Sequence, residues 1–147
     1  MTVSGISLVD ANVWLAIAVD GHIHHAAAVT WFDGQAEGTC AFCRITQLAF
    51  LRHLTNPKIM GPANVQTQGD AWRAFEALAA DPRVVYLEEP PGLTAVFKSL
   101  TQIARPAHKR WTDAYLAGFA LGSGLAIVSF DADMTSFQGL SVRLLAK

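Results

Sequence analysis

The sequence is poor in charged residues and has no long apolar run. Of its 147 residues, 16% are charged and 52% are hydrophobic, an apolar balance for a protein in water. No stretch approaches the roughly 18 to 20 apolar residues of a membrane-spanning helix, and the N-terminus lacks the basic start and cleavage site of a signal peptide. We therefore expect one cytoplasmic domain (1–147), with some apolar surface covered by a partner or a second subunit.

Cysteine is scarce as well, with only Cys40 and Cys43 in the chain. Two cysteines cannot make a four-thiolate zinc site. Their C-x-x-C spacing leaves a redox motif at the start of a helix near Arg44 as one alternative. Strand periodicity places positions 40 and 43 on opposite faces, and free cysteines are usually buried. We therefore expect two buried free thiols.

Positive charge is not in excess, because 11 Lys and Arg stand against 12 Asp and Glu, for a net charge of −1. Proteins that hold nucleic acid by charge alone are usually basic, so only a local basic patch is left open. The segment RPAHKRW (105–111) and the surroundings of Arg44 are candidates for one. A solvated loop is the commoner explanation of such a segment.

Short apolar runs alternate with helical patterns, and the chain has no internal repeat. Strands are predicted at 6–10, 38–43, 83–87, 125–130 and 141–145. Helices are predicted at 24–35, 45–54, 70–80, 93–104 and 112–124, the last with Thr112 as its N-cap. The alternation predicts an α/β protein with a mostly parallel sheet and helices on both faces. Ligands of such sheets bind beyond the carboxyl ends of the strands.

Several aspartates follow this rule. Asp10 closes an apolar strand in ISLVDANVWLAI, where an unpaired charge would be costly to bury. Asp131 follows another strand, with Asp133 two positions later, and Asp113 lies in the first turn of a helix. Turn formation and the helix dipole are the alternative explanations for the last three. Carboxylates around one crevice repel each other unless a hard cation such as Mg²⁺ or Mn²⁺ lies between them.

Three segments resemble the PIN-domain family, and more narrowly the VapC-type toxin ribonucleases of type II toxin–antitoxin pairs. They are SLVDANVWLAI, HHAAAVTWF and RWTDAYLAGFALGSGLAIVSFDADMTSFQGLSVRLL, which occur in the family's order and span nearly the whole chain. The resemblance implies a single PIN-like domain folded as a three-layer α/β/α sandwich. It also implies Mg²⁺- or Mn²⁺-dependent cleavage of RNA phosphodiesters by water activated at the metal, a cognate antitoxin and a homodimer.

The resemblance also implies roles for individual residues. Asp10, Asp113 and Asp131 match the family's catalytic, metal-binding carboxylates, and Asp133 matches an auxiliary ligand. Asn12 and Ser129 match polar neighbours of that site. If the basic segment borders the crevice, phosphate-binding residues would be Arg44, Arg105, Lys109 and Arg110, with Trp111 available to stack on a base.

One position departs from the family pattern. The family usually has Glu in the helix after the second strand, where TQLAFLR places Gln47. An amide oxygen still accepts a hydrogen bond from water or binds a metal weakly. A second metal site is therefore in doubt, and the alternative is a PIN-like protein that binds RNA or an antitoxin without cutting.

The histidines suggest a rival zinc site. The segment HIHH (His22, His24, His25) resembles the start of a metallo-β-lactamase-like motif, but no aspartate follows it. A zinc site also needs about four ligands with supporting groups. We expect a helix start there, with His25 packing or capping.

Overall fold

The computed structural model describes residues 5–146. Within them, five strands form one sheet in the order β3-β2-β1-β4-β5, and every pairing is parallel. The predicted mostly parallel sheet is confirmed. The strands are β1 (Ser7–Val9), β2 (Cys40–Phe42), β3 (Val84–Tyr86), β4 (Ala126–Ser129) and β5 (Val142–Leu144).

Seven α-helices are found in the same part of the chain. They are α1 (Ala11–Ala18), α2 (His25–Asp33), α3 (Arg44–Leu54), α4 (Pro57–Met60), α5 (Gln68–Ala79), α6 (Leu93–Leu100) and α7 (Trp111–Ser123). Short 3-10 helices cover His108–Arg110 and Ala132–Ser136. In residues 5–146, no helix has the length and apolar character needed to span a bilayer.

The helices form two layers, one on each face of the sheet. Helices α1, α2, α3 and α5 share one buried cluster, in which the Trp14 ring stacks on the Phe42 ring at 4.0 Å. Helices α6 and α7 share the other cluster. Because successive strand residues point to opposite faces, Leu8 joins one cluster and Val9 the other. This confirms the three-layer α/β/α sandwich.

The two cysteines are buried free thiols, as expected. Cys40 lies in the cluster of α1 and Cys43 in the cluster of α7, on opposite sides of the sheet. Burial raises the pKa of both thiols. A high thiol pKa disfavours the thiolate that redox chemistry uses.

Two helices were not predicted, and some predicted boundaries are wrong. Helix α1 was not predicted, because it is buried on nearly every side and shows no polar face. Helix α4 was not predicted either: Asn56 and Pro57 follow the end of α3 and also begin α4, since the Asn56 side chain accepts from the Lys58 amide. Helix α6 ends at Leu100 rather than 104, where Thr101 bonds back to carbonyls of the last turn.

Helix α7 also begins differently from the prediction. Thr112 is inside the helix and does not cap it, because the 3-10 helix at His108–Arg110 runs directly into Trp111. The other end agrees with expectation. Gly124 closes α7 in a left-handed conformation with φ of 70°, which glycine adopts without a steric cost.

Candidate active site

The chain adds strands β2 and β3 outward on one side of β1 and then returns to add β4 and β5 on the other side, so the strand order reverses between β1 and β4. Strands β2 and β3 lie on one side of β1, and β4 and β5 lie on the other. Such a switch point opens a crevice at the carboxyl ends of the strands. Asp10 directly follows β1, and Asp131 lies two residues after the end of β4. Both predicted carboxylates therefore stand at this crevice.

Asp10 is held in place by three hydrogen bonds. Its amide donates to the Val128 carbonyl at 2.9 Å. Its Oδ1 accepts from the Ala11 amide at 2.8 Å, which caps α1, and its Oδ2 accepts from Ser129 Oγ at 2.8 Å. Burial raises the pKa of Asp10, and these side-chain bonds oppose that rise. A carboxylate inside an apolar run thus has defined partners for both oxygens.

Ser129 is the hub that joins the strand ends. It is fully buried, and its Oγ accepts from Asn12 Nδ2 at 3.3 Å and from the Asp131 amide at 2.9 Å. Asn12 Oδ1 in turn accepts from the Phe130 amide at 3.2 Å. The expected proximity of Asn12 and Ser129 to Asp10 is confirmed. Their contribution to function stays a prediction.

Asp131 has a structural role as well. Its Oδ1 accepts from the Asp133 amide at 2.9 Å and caps the 3-10 helix that follows. The turn explanation is therefore correct for Asp131, and it coexists with a place at the crevice. Asp133 is exposed and is the second residue of that helix.

Asp113 lies close enough to the other three aspartates for their charges to affect its pKa. Burial is the largest cause that raises its pKa to about 6, and the negative charges of Asp10, Asp131 and Asp133 add to the rise. The Arg110 guanidinium opposes it. Asp113 lies in the first turn of α7, where the helix dipole also favours a negative charge. The four aspartates selected from sequence thus repel each other across one crevice.

Carboxylate oxygens are the ligand type that a hard divalent cation prefers, but these carboxylates are too far apart for three of them to bind one ion directly. Between residues 5 and 146, no three His, Cys, Asp or Glu side chains stand close enough to coordinate one ion directly. Mg²⁺ typically keeps several waters and uses only one or two carboxylates, so a full set of protein ligands is not required. The observation that favours a bound cation is the proximity of the carboxylates, whose charges add to the effect of burial in raising the pKa of Asp113.

Gln47 lies on α3, which starts at the carboxyl end of β2, beside β1. Its side chain is buried, and its Oε1 accepts a hydrogen bond from Arg44 Nη1. The amide that replaces the family's usual Glu is thus paired with a cation within its own helix.

The basic residues separate into two places. Arg105, Lys109 and Arg110 line a cleft of about 350 Å³ together with Asp133. Arg110 is fixed there, since Nη1 donates to Ser136 Oγ at 3.0 Å and its guanidinium lies 4.3 Å from the centre of the Phe137 ring. Trp111 beside them is 57% exposed. This loop borders the acidic crevice, as the sequence suggested.

Arg44 lies elsewhere, over the ring of Tyr86 at 5.2 Å. It lines a groove that was not predicted, together with Tyr86, Leu87, Glu88, Glu89 and Tyr115. The signal in the sequence was the segment EEPPG directly after a strand, at the edge where such sheets bind ligands. Its two glutamates look like ordinary solvated charges until the fold brings Tyr115 beside them.

The histidine segment serves as a helix start. His25 is the first residue of α2, and its Nδ1 lies 2.7 Å from the Ala16 carbonyl oxygen. His24 stacks on Phe130 with ring centres 4.9 Å apart. The packing role expected for His25 is confirmed.

Comparison with known proteins agrees with this architecture. A family model described as PIN domain matches residues 7–140. Ribonuclease VapC41 of Mycobacterium tuberculosis is 43% identical over 144 residues, which are 95% of this chain and 99% of that protein. Two solved structures each have a TM-score of 0.66: Mycobacterium tuberculosis VapC20, a sarcin-ricin loop cleaving toxin, and Rickettsia felis VapBC2 bound to a DNA fragment from its promoter. They are 15% and 8% identical and cover 95% and 96% of this chain, and 98% and 99% of their own chains, respectively. These two similarities concern the fold.

Proposed function

We propose, because the chain belongs to the PIN-domain family, that it is a metal-dependent endoribonuclease and the toxin of a type II toxin–antitoxin pair. The observation that carries the proposal is the group of four aspartates at the switch point, where burial first and the repulsion between the carboxylates second raise the pKa of Asp113 to about 6. The similarity to ribonuclease VapC41 over 95% of the chain supports the same activity.

The cation, Mg²⁺ or Mn²⁺, would be held among Asp10, Asp113 and Asp131, with Asp133 as an auxiliary ligand; one or two of these carboxylates would bind it directly and the others through its waters. When bound, it would offset the charge of the carboxylates and stabilise negative charge on the phosphoryl oxygens. The chain's own contribution is to fix the carboxylates beforehand. Ser129 holds Oδ2 of Asp10 and the amide of Asp131 at the same time, so these two aspartates keep their relative orientation.

The basic loop would position the RNA. Arg105 and Lys109 are exposed next to the acidic crevice and suit contacts with phosphates, which orient a nucleic acid without reading its sequence. The exposed Trp111 suits stacking on an unpaired base.

A second candidate is a protein that binds RNA or antitoxin with little or no cleavage. The observation in its favour is Gln47, a neutral residue paired with Arg44 where the family usually has Glu. The carboxylates of the other positions are all present, which favours the nuclease.

The proposed partners are RNA, a cognate antitoxin and a second copy of the chain, and the proposed location is the cytoplasm. Family membership and the similarity to VapBC2 support the antitoxin. The exposed apolar side chains of Leu48 and Trp72 support the homodimer.

The test compares wild type with Asp10→Asn, with growth and RNA integrity followed after expression in cells. The purified proteins are then incubated with RNA in Mg²⁺, in Mn²⁺ and in EDTA. We expect wild type to arrest growth and to cut RNA only with metal, and Asp10→Asn to do neither. Glu37→Gln, which changes an exposed carboxylate elsewhere, should behave as wild type. Equal cleavage by wild type and Asp10→Asn would reject the site.

A further inference from the structure

The groove around Arg44 is separate from the carboxylate site but lies on the same edge of the sheet. It has a volume of about 450 Å³, within the range of small-ligand sites. Its walls come from the first turn of α3, the carboxyl end of β3 with the segment after it, and α7. Strand β3 is two positions from β1 in the sheet, so the groove begins about 10 Å from Asp10 along the edge.

The groove combines flat rings with hydrogen-bond acceptors. Tyr86 and Tyr115 supply aromatic surface, and Glu88 and Glu89 supply carboxylates. Proteins recognise unpaired RNA bases by stacking them on aromatic or guanidinium planes while bonding their polar edges. The composition of this groove matches that mode of recognition.

Glu89 is exposed, and one of its carboxylate oxygens is hydrogen-bonded to α7. Its Oε1 accepts from the Tyr115 hydroxyl at 2.6 Å, and no hydrogen bond from the described residues reaches its Oε2. Two prolines follow it and restrict the backbone, including that of Glu89 itself. Pro90 also packs on α7, where a Cβ added at Gly122 would lie 3.4 Å from its Cγ. The free oxygen of Glu89 therefore belongs to a rigid segment.

Arg44 decides between two kinds of occupant. A cationic side chain of a partner protein would suit carboxylates and tyrosines in general. Here the Arg44 guanidinium already lies over the Tyr86 ring at 5.2 Å, so a second cation could not use that ring face and would have only the carboxylates to bind. A neutral base can stack on the guanidinium plane of Arg44 and bond the carboxylates with its edge.

We propose that this groove binds one unpaired guanine of the RNA and so sets where the strand is cut. Guanine is the base that carries two adjacent donors, N1–H and N2–H, on its Watson–Crick edge. The carboxylate of Glu89 can accept both, because Oε1 keeps a second lone pair beside its bond from Tyr115. The inference rests on the proposed function, since it names the base that the nuclease reads.

The test measures RNA binding in EDTA, where metal-dependent cleavage is prevented. The probes are fluorescent oligouridines with one central guanosine, inosine or adenosine; inosine lacks only the N2 amine. We expect wild type to prefer guanosine over the other two by roughly 5- to 100-fold, the discrimination of a bidentate base contact. Glu88→Gln with Glu89→Gln should abolish the preference. Glu37→Gln with Glu76→Gln removes the same charge from exposed positions outside the groove and should keep it.

Equal binding of the three oligonucleotides by wild type, or a guanosine preference that survives Glu88→Gln with Glu89→Gln, would overturn the inference. Selective binding of an arginine amide at the groove instead would overturn it in favour of a peptide partner. A parallel incubation with Mg²⁺ separates this result from the proposed function. Cleavage without guanosine preference would reject guanine binding in the groove and support the nuclease. Guanosine-selective binding without cleavage would support guanine binding and reject the nuclease.

Discussion

At the scale of single residues, the ionised form of Asp113 is disfavoured in the folded chain, and a bound cation would stabilise it. Its pKa is raised from 3.8 to about 6 in the folded chain, so the metal-free protein loses stability as pH rises from about 4 to 6. Asp113→Asn removes that loss. In EDTA we expect the variant to be more stable than wild type by roughly 1 to 2 kcal/mol at pH 7.5, since Asp113 is only partly shielded from solvent, and by little at pH 4. Urea unfolding at both pH values measures the difference.

The metal response provides the control for Asp113. Mg²⁺ should raise the unfolding midpoint of wild type through binding to the folded state, and it should raise that of Asp113→Asn less. If Asp113→Asn and wild type differ in stability by the same amount at pH 7.5 and at pH 4, ionisation of Asp113 does not destabilise the folded protein.

Gln47 is the residue at which we expect the strength of metal binding to be set. Gln47→Glu restores the family's usual carboxylate, but the Arg44 side chain that donates to Gln47 would neutralise part of its charge. We expect Gln47→Glu alone to lower the half-saturating Mg²⁺ concentration for cleavage only slightly. With Arg44→Met added, the decrease should reach about threefold to tenfold, or roughly 0.7 to 1.4 kcal/mol. Arg44→Met alone is the matched control. No change in any variant, while Asp10→Asn abolishes cleavage, would place Gln47 outside the site.

At the scale of elements, sequence patterns predicted the strands that form short apolar runs and the helices whose faces or ends carry signals. The strands at β1, β2 and β4 were found from short apolar runs, and the end of α7 from Gly124. Helix α1 escaped because burial on nearly all sides removes the periodicity that marks a helix. Its one visible signal, the cap at Asp10, was understood only as a possible metal ligand.

Arg83 forms a salt bridge within the turn before β3 and links that turn to α2 by a hydrogen bond. Arg83 donates Nε and Nη2 to Asp81 at 3.0 and 2.8 Å, and Nη1 to the Phe32 carbonyl at 3.0 Å. These bonds lower the pKa of Asp81 to about 2. The stabilisation is thus present above pH 4 and is lost as pH falls towards 2. We expect Asp81→Asn to cost about 1 kcal/mol at pH 7, given that the pair is partly solvated, and less at pH 3.

Asp33→Asn is the matched control for this salt bridge. Its carboxylate reaches the same guanidinium only at 3.7 Å and is 69% exposed, so its loss should change the urea midpoint little at either pH. Equal effects of Asp81→Asn and Asp33→Asn would mean that net charge matters there, and not the paired geometry.

At the scale of the whole molecule, the site depends on which strand ends become neighbours. The rule for parallel sheets predicted that Asp10 and Asp131 share an edge, the residue pattern grouped Asp113 and Asp133 with them, and the family resemblance gave these aspartates their expected roles. The order β3-β2-β1-β4-β5 could not be derived from the pattern of runs, because many orders bury the same residues. For the same reason the groove of Tyr86, Glu89 and Tyr115 was not foreseen, since its members are ordinary in their local sequence.

The apolar surface predicts self-association. A groove of about 410 Å³ lies between α3 and α5 and is lined by Leu48, Leu51, Ala71 and Trp72 among others. Leu48 is 52% exposed and Trp72 47%, which is unfavourable unless another surface covers them. We expect a homodimer through this groove at micromolar concentration, and Leu48→Glu should make the protein monomeric, because an interface would have to bury the new carboxylate.

Thermal unfolding gives a second measurement of the dimer. When unfolding is coupled to dissociation, Tm rises with protein concentration; wild type should show this rise and Leu48→Glu should not. Ile23→Glu is the control, because Ile23 is 87% exposed and lies outside the groove, and it should remain dimeric in sedimentation. A wild-type protein that sediments as a monomer at micromolar concentration, with a Tm independent of concentration, would contradict the prediction and leave the groove to a different partner.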